Sequence, residues 1–255
     1  MTRWCRVRLG CAAASAGVFA VAVIVIGSLT PGYDQWSDAV SRLASPGERW
    51  ALAARAAFAV YGLLAVAGAS TLRPYAGRHG PALTRCLALY GVACIIAGVA
   101  PKDQPGAPHT AVSQLHVAAA ILAGALAIGA MTLVARYGPD PATRRAAAAM
   151  ALLTALAAGI FRFTWGTQVY GISERVLLGL GMCWISVLAA RALSPARPSR
   201  RPWFSPLLLD GLAGHGVGLA AGQQPATERG HQGHAGQDQQ QVSGGHALQL
   251  GQAVE

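Results

Sequence analysis

Of 255 residues, 53% are hydrophobic and only 12% are charged, and the mean hydropathy is +0.40. Soluble domains run to about a quarter charged residues, so the composition argues against a soluble enzyme and for a membrane protein. The net charge of +10 is carried by dispersed arginines and the single lysine, Lys102; with no basic helix, phosphate loop or RNA-binding signature, nucleic acid is not an expected partner.

Arg3, Arg6 and Arg8 lead into a first apolar segment over residues 10–29. Leu9-Gly10-Cys11 has the look of a lipoprotein box, but its apolar run follows the cysteine, which argues against lipidation. No small-x-small cleavage site follows Ile26, so the segment reads as an uncleaved first span.

A polar island, Leu29 to Leu43, comes next. At helical spacing Tyr33, Trp36, Val40 and Leu43 share one face and Asp34, Ser37, Asp38 and Ser41 the other. This predicts a short amphipathic helix lying in the lipid interface.

Five further segments, near 50–70, 83–100, 113–135, 146–165 and 173–193, each approach the roughly 20 residues that cross a bilayer core. Start signals accompany them. Ser45-Pro46-Gly47-Glu48 reads as a capping box before the second segment, and Gly80-Pro81 introduces the third. Asp140-Pro141 opens the fifth, and Ser173 is placed to cap the sixth. The five cysteines (Cys5, Cys11, Cys86, Cys94, Cys183) form no CxxC pair and read as packing residues.

Arginines gather on alternate flanks: residues 3–8, then Arg73, Arg78 and Arg85, then Arg136, Arg144 and Arg145, then Arg191 to Arg201. The positive-inside rule puts these flanks and both termini in the cytoplasm of a plasma-membrane protein. Asp34, Asp38, Glu48, Asp103 and Glu174 all fall on the opposite side. The expected fold is therefore an all-α integral membrane protein. Residues 1–9 form a cytoplasmic N-terminus and residues 10–194 a bundle of six transmembrane helices with an interfacial helix in the first outer loop. Residues 195–255 form a basic juxtamembrane stretch and a low-complexity tail read as disordered.

Ionisable groups near lipid are expected to find one another. Arg55, inside the second span, calls for Asp34 or Asp38 as its partner. After the third span come Lys102-Asp103, His109 and His116, the two histidines seven residues apart on one helical face. Arg162 faces Glu174 and Arg175 at the start of the sixth span. The pocket candidates are thus Asp34, Ser37, Asp38, Arg55, Asp103, His109, His116, Arg162, Glu174 and Arg175.

Trp36-Ser37-Asp38 after the first span, Pro101-Lys102-Asp103 after the third, His116 entering the fourth and Gly171-Ile172-Ser173-Glu174-Arg175 opening the sixth have a family parallel. On these fragments, residues 10 to about 194 resemble the bacterial and archaeal six-span membrane proteins catalogued as domain of unknown function 998 (DUF998). The resemblance implies a multi-pass membrane protein and brings no reaction with it.

The reading that follows is a non-catalytic membrane module whose outer polar pocket binds a lipid headgroup or small molecule, with membrane lipid as partner and no cofactor. One alternative is a metal-assisted intramembrane hydrolase acting on a lipid or amphiphile. There Asp38, Asp103 and His116 would ligate a divalent ion, and His109 or Glu174 would add a ligand or base. A small-molecule transporter is the second alternative, without an internal repeat or a broken span to support it.

Overall fold

The structure is a computed structural model, and it describes residues 2–104, 107–108 and 110–194. Among these residues the long helices are α1 (Arg3–Leu29), α2 (Ala51–Ala69), α3 (Gly80–Val99), α4 (Ala111–Tyr137), α5 (Pro141–Phe163) and α6 (Tyr170–Leu193). The apolar segments read from the sequence coincide with them to within a few residues, except that α1 and α5 begin earlier. The basic stretch and tail from residue 195 lie outside the described residues.

Five stretches are long and apolar enough to cross a membrane: Arg3–Leu29, Ala51–Val99, Ala111–Tyr137, Pro141–Phe163 and Tyr170–Leu193. The second contains both α2 and α3. It breaks at a 3-10 segment, Ser70–His79, whose backbone leaves helical geometry at Ala76 and Gly77. Gly77 has φ +50°, a left-handed conformation that glycine adopts without a Cβ clash.

Each long helix packs on its chain neighbours, and α6 returns to pack on α1. The closest approach joins α2 to α3. A Cβ built on Gly62 would lie 2.4 Å from the Gly91 carbonyl oxygen, and one on Gly91 would lie 2.6 Å from that of Gly62. Further along, a Cβ on Gly98 would meet the Arg55 carbonyl at 2.9 Å. Small residues of this kind let helix backbones approach where the hydrophobic effect gives no pull between helices.

Aromatic rings extend the contact. Phe19 packs edge-on against Phe58 at 4.9 Å, Tyr61 lies beside Phe19, and the Tyr61 and Tyr90 hydroxyls are 2.9 Å apart. On the other side of α1, the Ser186 hydroxyl of α6 donates to Ala12 O at 3.1 Å and accepts from Ala16 N–H at 3.3 Å. A hydroxyl buried in an apolar bundle is thereby satisfied at both donor and acceptor. The outward faces are apolar on every helix, with Val21, Leu63, Leu89, Ile121, Leu156 and Val187 exposed. α5 buries the fewest side chains, four of them.

The helix starts divide. Asp140 caps α5 as expected, accepting from Thr143 N–H at 2.8 Å and Thr143 Oγ1–H at 2.7 Å. The capping box at Ser45 does not form. Gly47 has φ +91°, which bars a helix starting at Pro46; α2 begins at Ala51, and Ser45 Oγ is buried without a partner among the described residues. Ser173 does not cap α6 either, because that helix begins one turn earlier at Tyr170.

The interfacial helix is also corrected. Residues 31–38 form turns, and the only helical piece between α1 and α2 is a 3-10 turn, Val40–Ala44. Val40 and Leu43 are buried while Trp36 is 65% exposed, so the apolar stripe expected on one helix face is divided between core and surface.

Valine at Gly91 would drive a branched side chain into the α2 backbone, so Gly91→Val is expected to lower stability by about 1–3 kcal/mol. Gly124→Ala, where nothing lies within 4 Å of the added carbon, should leave the thermal midpoint in detergent unchanged.

Candidate functional site

The connections after α1, α3 and α5 meet at one end of the bundle, as shown by Gln104 Nε2 donating to Pro46 O at 2.7 Å and Lys102 lying 4.8 Å from the Trp165 ring centroid. This is the end that holds Asp34, Asp38, Glu48, Asp103 and Glu174. Its organising contact is the docking of the first connection, residues 30–50, onto the start of α6.

Gly171 makes the docking possible. A Cβ there would lie 2.4 Å from Asp38 O and 2.8 Å from both Asp38 N and Trp36 O. Without one, Ile172 N–H donates to Trp36 O at 2.9 Å. The last two residues of the motif, Glu174 and Arg175, fasten the contact. Glu174 accepts a short hydrogen bond from Val40 N–H, the first residue of the 3-10 turn, with the Ser41 hydroxyl beside it. Arg175 donates from Nη1 to Asp38 O (3.0 Å) and Gly171 O (2.9 Å), and from Nη2 to the Tyr33 hydroxyl at 2.5 Å. Tyr33 in turn reaches Ala39 O at 3.1 Å. Burial pushes the Tyr33 phenol up to about 12, against the opposing pull of Arg175.

Within the connection the carboxylates serve local turns. Asp34 accepts from Trp36 N–H at 3.1 Å and Ser37 Oγ–H at 2.8 Å, and these bonds, the Trp36 amide first, hold its carboxyl below the usual range. Asp38 accepts from Asp34 N–H at 2.8 Å and forms a short ion pair with Arg42. Arg42 also reaches Glu48 at 3.4 Å. Hydrogen bonding to Asp38 strengthens the hold of Arg42 on its proton.

Several expected partnerships are absent. Arg55 pairs with neither Asp34 nor Asp38; its Nε donates to Ala44 O at 2.8 Å. Arg162 is exposed and enters no ion pair among the described residues, so it does not meet Glu174. His116 is buried, with Nδ1 at 2.8 Å from Ala97 O and 2.9 Å from Ala100 O. Carbonyls only accept, so Nδ1 carries the proton and ties α4 to the last turn of α3. Asp103 accepts from Thr110 N–H (2.7 Å) and Thr110 Oγ1–H (2.9 Å), bracing the start of α4. His109 lies outside the described residues, and α4 begins after it, at Ala111.

The nine described candidates therefore do not surround one cavity. Asp38, Glu174 and Arg175 come together, and Asp34 and Ser37 adjoin them through the turn. Arg55, Asp103, His116 and Arg162 serve other places. Among the described residues no three His, Cys, Asp or Glu side chains are grouped to hold a metal ion.

Sequence reasoning missed Lys102, Trp165 and Tyr170 as one unit. Lys102 is partly buried, its ammonium 4.8 Å from the Trp165 ring centroid and 5.8 Å from that of Tyr170. Burial lowers its proton affinity and nearby Glu174 partly offsets this. That the chain's single lysine stands beside Asp103 in the connection after α3 was the available signal.

The family described as "Protein of unknown function (DUF998)" matches residues 13–191. That span covers most of α1 and all of α2 to α5, and includes the docked connection and the Gly171–Arg175 motif. The chain belongs to this family, as its short motifs suggest. No curated protein and no solved structure matches it.

If Gly171 is the seat of the docked connection, Gly171→Ala should release it. Amide exchange over residues 33–45 is expected to rise at least tenfold, with trypsin cutting at Arg42, while the helices keep their protection. Glu174→Ala should act in the same direction and Glu174→Gln less, because an amide oxygen still accepts from Val40 N–H.

Proposed function

We propose that this member of the DUF998 family crosses the plasma membrane six times, with the start of α1 and the end of α6 both on the cytoplasmic side. On this reading its acidic end is an extracytoplasmic cap that binds the polar head of a lipid or another small amphiphile. Chain length supports the sixth crossing. The stretch Ala51–Val99 has 49 residues, more than twice the roughly 20 that a bilayer core takes up. α2 and α3 pack on each other across the break at Gly77, as two antiparallel crossings would. Arginine placement supports the sidedness, because the flanks at Arg73 and Arg78, at Arg136 and Arg144, and at Arg191 all belong to the other end.

The observation that carries the binding reading is Lys102. This partly buried ammonium is flanked by two aromatic rings and enters no ion pair among the described residues. The rings attract the cation through their faces, but they do not satisfy its three N–H donors. An anionic or strongly polar headgroup at the interface supplies those acceptors. Trp and Tyr are the residues that favour that depth.

Two experiments test the reading. Single cysteines introduced at Ser37 and Gln104 should react with an impermeant maleimide on intact cells, and cysteines at Arg78 and Arg144 only after permeabilisation; the opposite pattern would invert the cap. In native mass spectrometry, Lys102→Gln and Trp165→Ala should each retain several-fold less co-purified anionic lipid than the parent chain. Retention at the parental level in both would remove Lys102 as the binding group.

A further inference from the structure

The end of the docked connection and the first turn of α2 line a groove that does not include Lys102. It has a volume of about 540 Å³ and runs from Pro46 to Ala53 with Arg55 at its inner end. From Arg49 and Arg55 in this groove, we infer that it binds the phosphate of a phospholipid head in the outer leaflet. The inference rests on the outward placement of this end proposed above, but not on Lys102.

Charge is the first argument. Arg55 sits within a membrane-crossing stretch, where a guanidinium without an anion is costly. Its Nε is engaged by Ala44 O at 2.8 Å, while its two terminal nitrogens have no partner among the described residues. Arg49 is exposed, stacked 5.5 Å over the Trp50 ring, and likewise unpaired among those residues. The acid that lines the groove, Glu48, is taken up by Arg42 at 3.4 Å. Two guanidinium groups therefore share one groove with no free carboxylate, and their planar donor forks match phosphate oxygens.

Depth is the second argument. Leu52, one turn into the groove wall, is 78% exposed, and Trp50 is 37% exposed. The groove thus opens where the apolar outer face of α2 meets the polar connections, the level of lipid phosphates. Shape is the third. Arg55 is fixed by its bond to the buried Ala44, Gly47 sets the turn with φ +91°, and Gln104 pins the rim through Pro46 O at 2.7 Å. A volume of this size falls in the range of small-ligand sites, and fixed donors reduce the ordering cost of binding.

The test measures thermal unfolding of the purified full chain in maltoside detergent, for the parent and for Lys102→Gln. Short-chain phosphatidylglycerol should raise the midpoint of both, and a diacylglycerol of equal chain length, lacking the phosphate, should not. Arg49→Gln, a surface change, should raise the half-saturating lipid concentration about tenfold, the loss of one charge-assisted contact. Arg55→Lys keeps a charge for folding but loses the fork and should weaken binding several-fold. Inorganic phosphate at the same concentration should protect little; equal protection would mean a free anion and overturn the lipid assignment. Unchanged protection in both Arg49→Gln and Arg55→Lys, or equal protection by diacylglycerol, would overturn the site. Loss of protection in Lys102→Gln alone would place the lipid beside Lys102 and not here.

Discussion

The demand of backbone carbonyls and amides for partners at the edge of an apolar bundle governs the acidic end of this protein. A connection of some twenty residues folded against helix ends brings main-chain groups where water is scarce, and each needs a bond. Val40 N–H takes the Glu174 carboxylate, Asp38 O takes Arg175, Ala44 O takes Arg55, and the last carbonyls of α3 take His116. The ionisable side chains are distributed by the needs of the main chain before they are distributed by their attraction for one another. A charged group bonded to a peptide is worth more than a neutral pair, and one such bond fixes a whole turn.

This explains what was legible in the sequence and what was not. Hydropathy alone locates α2, α3, α4 and α6 to within a few residues, since a hydrocarbon slab imposes length directly. Asp140-Pro141 likewise announces α5, because cap and first turn are local chemistry. The docked connection was not legible from period. Tyr33, Trp36, Val40 and Leu43 recur at helical spacing, yet Trp36 is exposed and Val40 buried because turns at Pro31–Gly32 and around Asp34 reset the backbone between them. The capping box failed for a similar reason: the left-handed Gly47 lies inside it. Charge matching gave the wrong partners because it ignored the backbone: Arg55 is taken by Ala44 O, and Glu174, expected for Arg162, is taken by Val40 N–H. The Gly171–Arg175 fragment was recognised as a family motif, but its physical sense appears only when Gly171 is seen beneath Asp38 and Trp36.

The rest of the bundle shows how close packing is reached without hydrophobic pull. α2 and α3 touch backbone to backbone at Gly62 and Gly91, and Gly68 of α2 leaves room for Ala12 of α1, whose methyl would lie 2.6 Å from an added Cβ. Such contacts gain from dispersion over many atoms and from short weak donors along the seam. Hydroxyls then add direction, with Ser186 bridging α6 to α1 and Tyr61 to Tyr90 joining α2 to α3. α5 has hydroxyl links too, Thr154 Oγ1 to Met131 Sδ of α4 at 3.6 Å and Thr164 at its end to Ser173 of α6 at 2.7 Å, but little close packing. Its interior contacts are few, and its Leu152, Leu156 and Ile160 face outward, so it closes the ring more loosely than its neighbours do.

Rigid seams below and a docked connection above bear on what the acidic end can bind. A site assembled from free loops would have to be ordered by its ligand, at a cost taken from affinity. Here the described loop residues already have partners: the first connection on α6, Asp103 and Gln104 on Thr110 and Pro46, and Arg55 in the first turns of α2 on Ala44. Three cations that enter no ion pair among the described residues, Lys102 beside its rings and Arg49 and Arg55 in the groove, therefore have protein contacts before any anion arrives. The carboxylates at the same end are bonded instead to the amides, hydroxyls and Arg42 that fold the connections. Five carboxylates thus share this end with six basic residues, Arg42, Arg49, Arg55, Lys102, Arg162 and Arg175, and the small positive excess of that count is expressed at the groove and beside Lys102 because the carboxylates are bonded elsewhere.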